Sequence, residues 1–214
     1  MPMMRNRFHL VLLGLAATTV MIGACQSDPQ PTAPASATEA PGTHATGAPI
    51  DVKPESFKCM HDMTPVRGFF VDNIAGDLKG TLAVANSPNG GVYPPGSVVQ
   101  LFPNEVMVKR EQGFNPITKD WEFFELDVTE NGSTIRKRGF QDVVNRFGGN
   151  CFACHVQAKP QWDLICEDDH GCAALPINDL AIHSLQNTDP RCKQSDPTFM
   201  QSVTAWFIRA FTPL

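Results

Sequence analysis

Cys151-Phe152-Ala153-Cys154-His155 sets two thiols three residues apart, with an imidazole directly after the second. The spacing puts both sulfurs on one turn of chain, where each can add to a porphyrin vinyl group while the imidazole reaches the iron beneath. Five residues would then supply covalent attachment and axial ligation for a single haem c. Two other chemistries draw on similar residues. A thioredoxin-like dithiol belongs near the start of a helix that follows an early strand of an α/β fold, and no βαβ pattern surrounds this motif. Structural zinc needs four ligands, which Cys166, His170 and Cys172 could complete.

The compartment weighs between these chemistries. Residues 1–24 open with Arg5 and Arg7, continue through Leu10-Val11-Leu12-Leu13-Gly14-Leu15-Ala16-Ala17 and contain no acidic residue, the pattern of an export signal. The apolar core falls short of the roughly 20 residues a spanning helix needs. Ile22-Gly23-Ala24-Cys25 resembles the lipobox of bacterial lipoproteins, which makes Cys25 the lipid attachment site. The alternative is an ordinary secretory leader in which Cys25 is incidental. Gln26 rather than Asp follows the cysteine, which points to the periplasmic face of the outer membrane. Haem is attached outside the cytoplasmic membrane, so export favours haem over zinc. Residues 25–50 are rich in Pro, Ala and Thr and bury too little apolar surface to order, so they read as a flexible tether. Such a segment spans on the order of 25–30 Å by random-coil scaling.

The elements that must position the motif lie in residues 51–214, a length suited to one core. Short runs rich in Val and Phe read as strands: Phe69–Val71, Thr81–Val84, Val98–Phe102, Val106–Val108 and Trp121–Leu126. Pro88-Asn89-Gly90-Gly91, Pro94-Pro95-Gly96, Pro103-Asn104 and Asn131-Gly132 separate them with turn chemistry, which predicts antiparallel pairing. After Gly139 the period lengthens. Phe140, Val143, Val144 and Phe147 mark one face of a short helix, and Asn178 opens another that carries Leu180, Ile182 and Leu185. Asp196 and Pro197 start a C-terminal helix whose buried stripe is Phe199, Met200, Val203, Trp206, Phe207 and Ala210. The fold class is therefore α+β, with a β-rich antiparallel sheet, helices flanking a c-type haem site, and a C-terminal helix.

About 100 residues that read mostly as strands precede the haem motif, whereas all-helical cytochromes place it near the start of the domain or after three helices. Together with Val106-Met107-Val108-Lys109-Arg110-Glu111 and Asp120-Trp121-Glu122-Phe123-Phe124, this late motif resembles the cytochrome P-460 family and the related beta-sheet form of cytochrome c-prime. The resemblance covers about a quarter of the domain, and the segment between Lys109 and Trp121 is shorter than in the hydroxylamine-oxidising members. It implies that His155 is the proximal ligand, that the opposite iron face is open to a small ligand such as hydroxylamine or nitric oxide, and that Lys109 can be joined to the porphyrin edge. On a strand, Met107 and Lys109 share one face and Val106, Val108 and Arg110 the other, so the packing decides where the lysine points. The bland alternative is a solvated strand lysine. Phe123 and Phe124 are candidate walls of the pocket, or core filling.

Cys59-Met60-His61-Asp62-Met63 offers two thioethers and an imidazole, and a sixth ligand from this loop would instead make a periplasmic electron carrier with a six-coordinate haem. Once lipid and haem have taken three of the seven cysteines, Cys59, Cys166, Cys172 and Cys192 form an even remainder suited to two disulfides. Of three possible pairings, the short loop favours Cys166–Cys172 with Cys59–Cys192. A third class of function is a lipoprotein whose cysteines are structural, held by zinc or disulfides. The expected partners are a small-molecule ligand or a redox protein, and the membrane through the lipid. The net charge of −5 supplies no cationic field able to hold nucleic acid.

Overall fold

The computed structural model describes residues 47–175 and 177–211. The leader, Cys25 and most of the tether lie outside these residues. The folded part takes hold at Ile50, whose N–H donates to the Glu111 carboxylate and whose carbonyl accepts from Arg110, one residue from the expected boundary.

Six strands form a single antiparallel meander in chain order: β1 Thr64–Val66, β2 Phe69–Asn73, β3 Ser97–Phe102, β4 Glu105–Lys109, β5 Trp121–Thr129 and β6 Gly132–Gly139. Two-residue turns join three of the pairs. Arg67-Gly68 links β1 to β2 with Arg67 at φ 51°, Pro103-Asn104 links β3 to β4, and Glu130-Asn131 links β5 to β6 ahead of Gly132 at φ 120°. β3, β4 and the first part of β5 are buried on both faces, which is why they read as continuous apolar runs rather than an alternation. Val71, Val99, Met107 and Phe123 stand in register across four strands on one face. Val98, Val106, Val108, Phe124 and Leu126 occupy the other, covered by Val52, Phe57 and Met63 from the N-terminal segment.

Four helices complete the fold: α1 Leu78–Ala85, α2 Cys151–His155, α3 Asp179–Asn187 and α4 Phe199–Phe211. An α+β, β-rich architecture with a C-terminal helix is thus the fold of this chain. Three local expectations change. The Thr81–Val84 run is helical, because the Asp77 carboxylate caps the helix by accepting from the Gly80 N–H at 2.9 Å. Its buried residues, Thr81 and Ala85, are one helical turn apart. The segment from Phe140 to Phe147 is not helical. The Asn145 side chain instead accepts from the N–H groups of Phe147 and Gly149 at 3.0 and 2.9 Å and closes a loop in which Val143 is buried while Val144 and Phe147 stay partly exposed. α4 starts at Phe199, with Thr198 and Gln201 bonding reciprocally as a capping box, and its apolar stripe faces outward, with Ala205 as its buried residue. Asn178 caps α3 as expected, accepting from the Ala181 N–H at 3.0 Å.

Both expected disulfides form: Cys59 with Cys192, and Cys166 with Cys172. The first spans 133 residues and ties the N-terminal segment to the region between α3 and α4. Around it, Asp189 accepts from the Met60 N–H at 3.0 Å and pairs with Arg191 at 2.7 Å. Closing a loop of this length restricts the unfolded chain by on the order of 5 kcal/mol in the chain-entropy picture. The double replacement Cys59→Ser/Cys192→Ser should lower the free energy of unfolding by about 2–5 kcal/mol, read from denaturant titration under non-reducing conditions.

Candidate functional site

α2 carries the cysteine–histidine motif, and its ends are fixed by short-range chemistry. The Asn150 side-chain Oδ1 caps the helix by accepting from the Ala153 N–H at 2.9 Å, while its Nδ2 donates to the Gln141 carbonyl at 2.7 Å. The Cys151 N–H donates to the Val143 carbonyl at 3.0 Å, so the loop preceding the helix is sewn to its first turn. Phe152 wedges between Phe123 and Phe140, with ring centroids 6.1 and 5.5 Å away. The His155 ring lies 5.4 Å from Phe123 and tilted against it. Phe123 therefore walls the site. Phe124, its neighbour on β5, does not: the strand turns it to the opposite face, where it packs 5.1 Å from Phe57.

Cys151 and Cys154 are the cysteines left unpaired among the described residues. Burial, reinforced by Glu105 and Glu125, pushes the Cys151 thiol up to about 12, the opposite of the lowered value a redox-active thiolate requires. Cys166 Sγ lies 3.7 Å from the Cys154 carbonyl but is bonded to Cys172, and the His170 Nδ1 faces the Ile165 carbonyl at 2.8 Å, so these side chains are engaged away from zinc ligation. Among the described residues no group of three or more His, Cys, Asp or Glu side chains is arranged to hold a metal ion.

His155 Nδ1 lies 2.7 Å from the Leu164 carbonyl. This contact puts the ring proton on Nδ1 and leaves the Nε2 lone pair free to ligate. Burial lowers the imidazole pKa, which keeps the ring neutral. The Leu164 carbonyl is itself held by an unusual backbone. Asp163 and Leu164 are consecutive non-glycine residues at φ 50° and 67°. Such positions cost of order 1–3 kcal/mol each and persist only where the surroundings fix them. Here the Asp163 carboxylate accepts from Lys109 Nζ at 2.8 and 3.0 Å and from the Tyr93 N–H at 2.9 Å. Further along the same loop, Trp162 stacks on His170 at 3.7 Å and the Lys159 N–H donates to the His170 carbonyl.

Lys109 is therefore neither solvated nor free. It is 4% exposed and on the same sheet face as Met107, Trp121 and Phe123. Its three donors go to the two Asp163 oxygens and, at 2.7 Å, the Lys119 carbonyl. Burial lowers its pKa against the opposing pull of Asp163, but the amine is committed to oxygens rather than offered as a nucleophile. The Cys59–Met63 loop lies on the far side of the sheet. Met63 packs with Val98, Val106 and Phe124, and His61 stacks on Phe70, so this loop is not presented to His155.

A cavity of about 280 Å³ is lined by Phe102, Asn104, Glu105, Ile208 and Arg209 and by Arg146 of the loop that precedes α2. Glu105 stands directly opposite Glu125 across β4 and β5. Glu125 accepts through Oε1 from Asn104 at 2.9 Å and from Arg136 at 3.0 Å, while Glu105 Oε1 and Glu125 Oε2 have no hydrogen-bond partner. Sequence reading missed Asp163, Tyr93 and Glu105, for which no local signal exists. Asn150 was detectable, since Asn directly before an apolar helical run is an N-cap type. No family model, no curated protein and no solved structure matches the chain.

Two tests follow from this geometry. Lys109→Met strands a buried carboxylate and should destabilise the fold by about 3–5 kcal/mol in denaturant titration, with Lys109→Met/Asp163→Asn recovering most of the loss. Burial first, and Glu125 second, raise Glu105 from 4.5 to about 8. An unfolded chain ionises this carboxyl before the folded one does, so its contribution to stability is full below pH 4.5 and is lost as pH rises towards 8. Glu105→Gln should remove that decline, seen by comparing melting temperatures of variant and wild type across this range.

Proposed function

We propose that the chain is an exported haem protein that carries one covalent haem c on Cys151 and Cys154, with His155 as axial ligand. Bound there, haem supplies redox and small-ligand chemistry at iron. The observation that carries the reading is the His155–Leu164 contact beside two unpaired thiols, in a domain whose other described cysteines are all oxidised. The donor set fits the group: two unpaired thiols for thioether bonds, and a neutral imidazole whose proton is already engaged.

The open-face reading, with hydroxylamine or nitric oxide as the ligand class, is favoured over the six-coordinate electron carrier by the position of the Cys59–Met63 loop across the sheet from His155. In this reading Phe123 and Phe152 exclude water from the proximal side. Asp163 holds the loop that orients His155, and Lys109 holds Asp163. The P-460-like cross-link at Lys109 is the finer form of the proposal, and it would require the amine to leave Asp163. The two disulfides suit an oxidising compartment and support export, with lipid on Cys25 at the periplasmic face of the outer membrane.

The test is a pyridine haemochrome assay with intact mass and peptide mapping, on protein made with its own leader in a host that matures c-type cytochromes. The expected result is one haem on the Cys151–His155 peptide, a high-spin ferrous spectrum that shifts with nitric oxide, and loss of stable haem in His155→Ala. Absence of covalent haem would reject the proposal. A low-spin spectrum indifferent to nitric oxide would transfer it to the electron carrier.

A further inference from the structure

The outer side of α4 gathers five of the exposed large apolar side chains among the described residues. Phe199 is 79% exposed, Met200 58%, Trp206 62%, Phe207 51% and Phe211 76%. At about 100° per residue these five fall within one side of the helix, roughly 140° wide. The other side packs inward through Ala205 and Ile208 onto Phe102 and Leu185. The exposed rings also contact one another, Trp206 edge-on to Phe207 at 5.0 Å and Phe207 stacked with Phe211 at 6.0 Å. Such a patch marks an interaction surface rather than ordinary surface scatter.

Charge and chain length point to its occupant. Arg209 is the one charged residue of α4, and its guanidinium donates to the Thr188 carbonyl and hydroxyl rather than to the apolar side. The patch is thus uncharged. Cleavage after residue 24 leaves 15 basic and 22 acidic side chains, a net of −7, which disfavours anionic surfaces. The described fold takes hold at Ile50, 25 residues after Cys25, so a lipid on that cysteine would keep the domain near a bilayer. Trp and Phe side chains on an exposed helix side are the residues that settle at a membrane–water interface.

We propose that α4 rests by this aromatic side in the interface of the bilayer that holds Cys25, as a second membrane contact that fixes the orientation of the domain. This rests on the lipid-anchor reading, and it assigns a zwitterionic lipid surface as the partner.

The test uses flotation of the chain from residue 25 to 214 with Cys25→Ser, secreted behind a non-lipoprotein leader, with phosphatidylcholine vesicles at millimolar lipid. The expected result is flotation without acylation, reduced by roughly tenfold or more in Phe207→Glu/Phe211→Glu, whose exposed positions leave circular dichroism and melting unchanged. No flotation of the Cys25→Ser chain, or equal flotation of the charged variant, overturns the proposal. A concentration-dependent dimer in sedimentation velocity that the charged variant abolishes, without vesicle binding, overturns it in favour of a second copy. The mass of the Cys25 peptide from membrane-extracted wild type reports acylation independently, so failure of the anchor and failure of the helix contact are read separately.

Discussion

The arrangement around the motif depends on one hydrogen bond, from His155 Nδ1 to the Leu164 carbonyl. A helix of five residues cannot orient an imidazole by itself. The carbonyl does so because two successive left-handed residues aim it, and those residues keep that conformation because Asp163 is clamped by Lys109 on β4 and the Tyr93 N–H. The dependence therefore runs from the centre of the sheet to the ring. An ion pair this deeply buried adds little net stability, since desolvation of both groups offsets most of the attraction. Its consequence is positional: it converts a strained turn into a fixed acceptor.

The sheet separates two tasks. One face, with Val71, Val99, Met107, Trp121 and Phe123, receives Phe152 and the loop that carries Leu164. The other is closed by Val52, Phe57 and Met63, and the Cys59–Cys192 bond fastens that closing segment to the helical region. Residues that looked equivalent as ligands or walls, Met63 and Phe124 among them, are removed from the site by this division. Burial on both faces leaves polar residues of the central strands to find partners inside the protein, ion pairs at Lys109 and at Glu125 and backbone carbonyls at Gln100.

The legible parts of the sequence were those whose signal is local. The Asn178 cap, the turns between strands and the short Cys166–Cys172 loop depend on neighbours within a few residues. Four cysteines remain once the motif and Cys25 are set aside, so pairing Cys166 with Cys172 left Cys59–Cys192. What was not legible depends on contacts distant in sequence. Thr81–Val84 has strand-like composition, yet Asp77 and the buried Thr81–Asn73 and Thr81–Ser97 bonds make it a helix packed on β2 and β3. The Phe140–Phe147 spacing is helical, but Asn145 captures the backbone first. Lys109 faces inward only because Asp163, 54 residues away, is there to receive it. Periodicity identified the apolar side of α4 but carried no information on what that side would meet.

α4 joins these themes, because its two sides border different environments. Ile208 and Arg209 line the cavity that also contains Glu105 and Arg146, and Arg146 belongs to the loop whose Val143 carbonyl receives the Cys151 N–H. The opposite side presents Trp206, Phe207 and Phe211 outward. The inner wall of the cavity and the outer apolar surface are therefore one rigid element 13 residues long. Whatever holds the outer side restricts how far the cavity wall can move. Burial first, with Glu105 and Glu125 after it, pushes the Cys151 thiol up, so the cavity and the motif share one electrostatic environment.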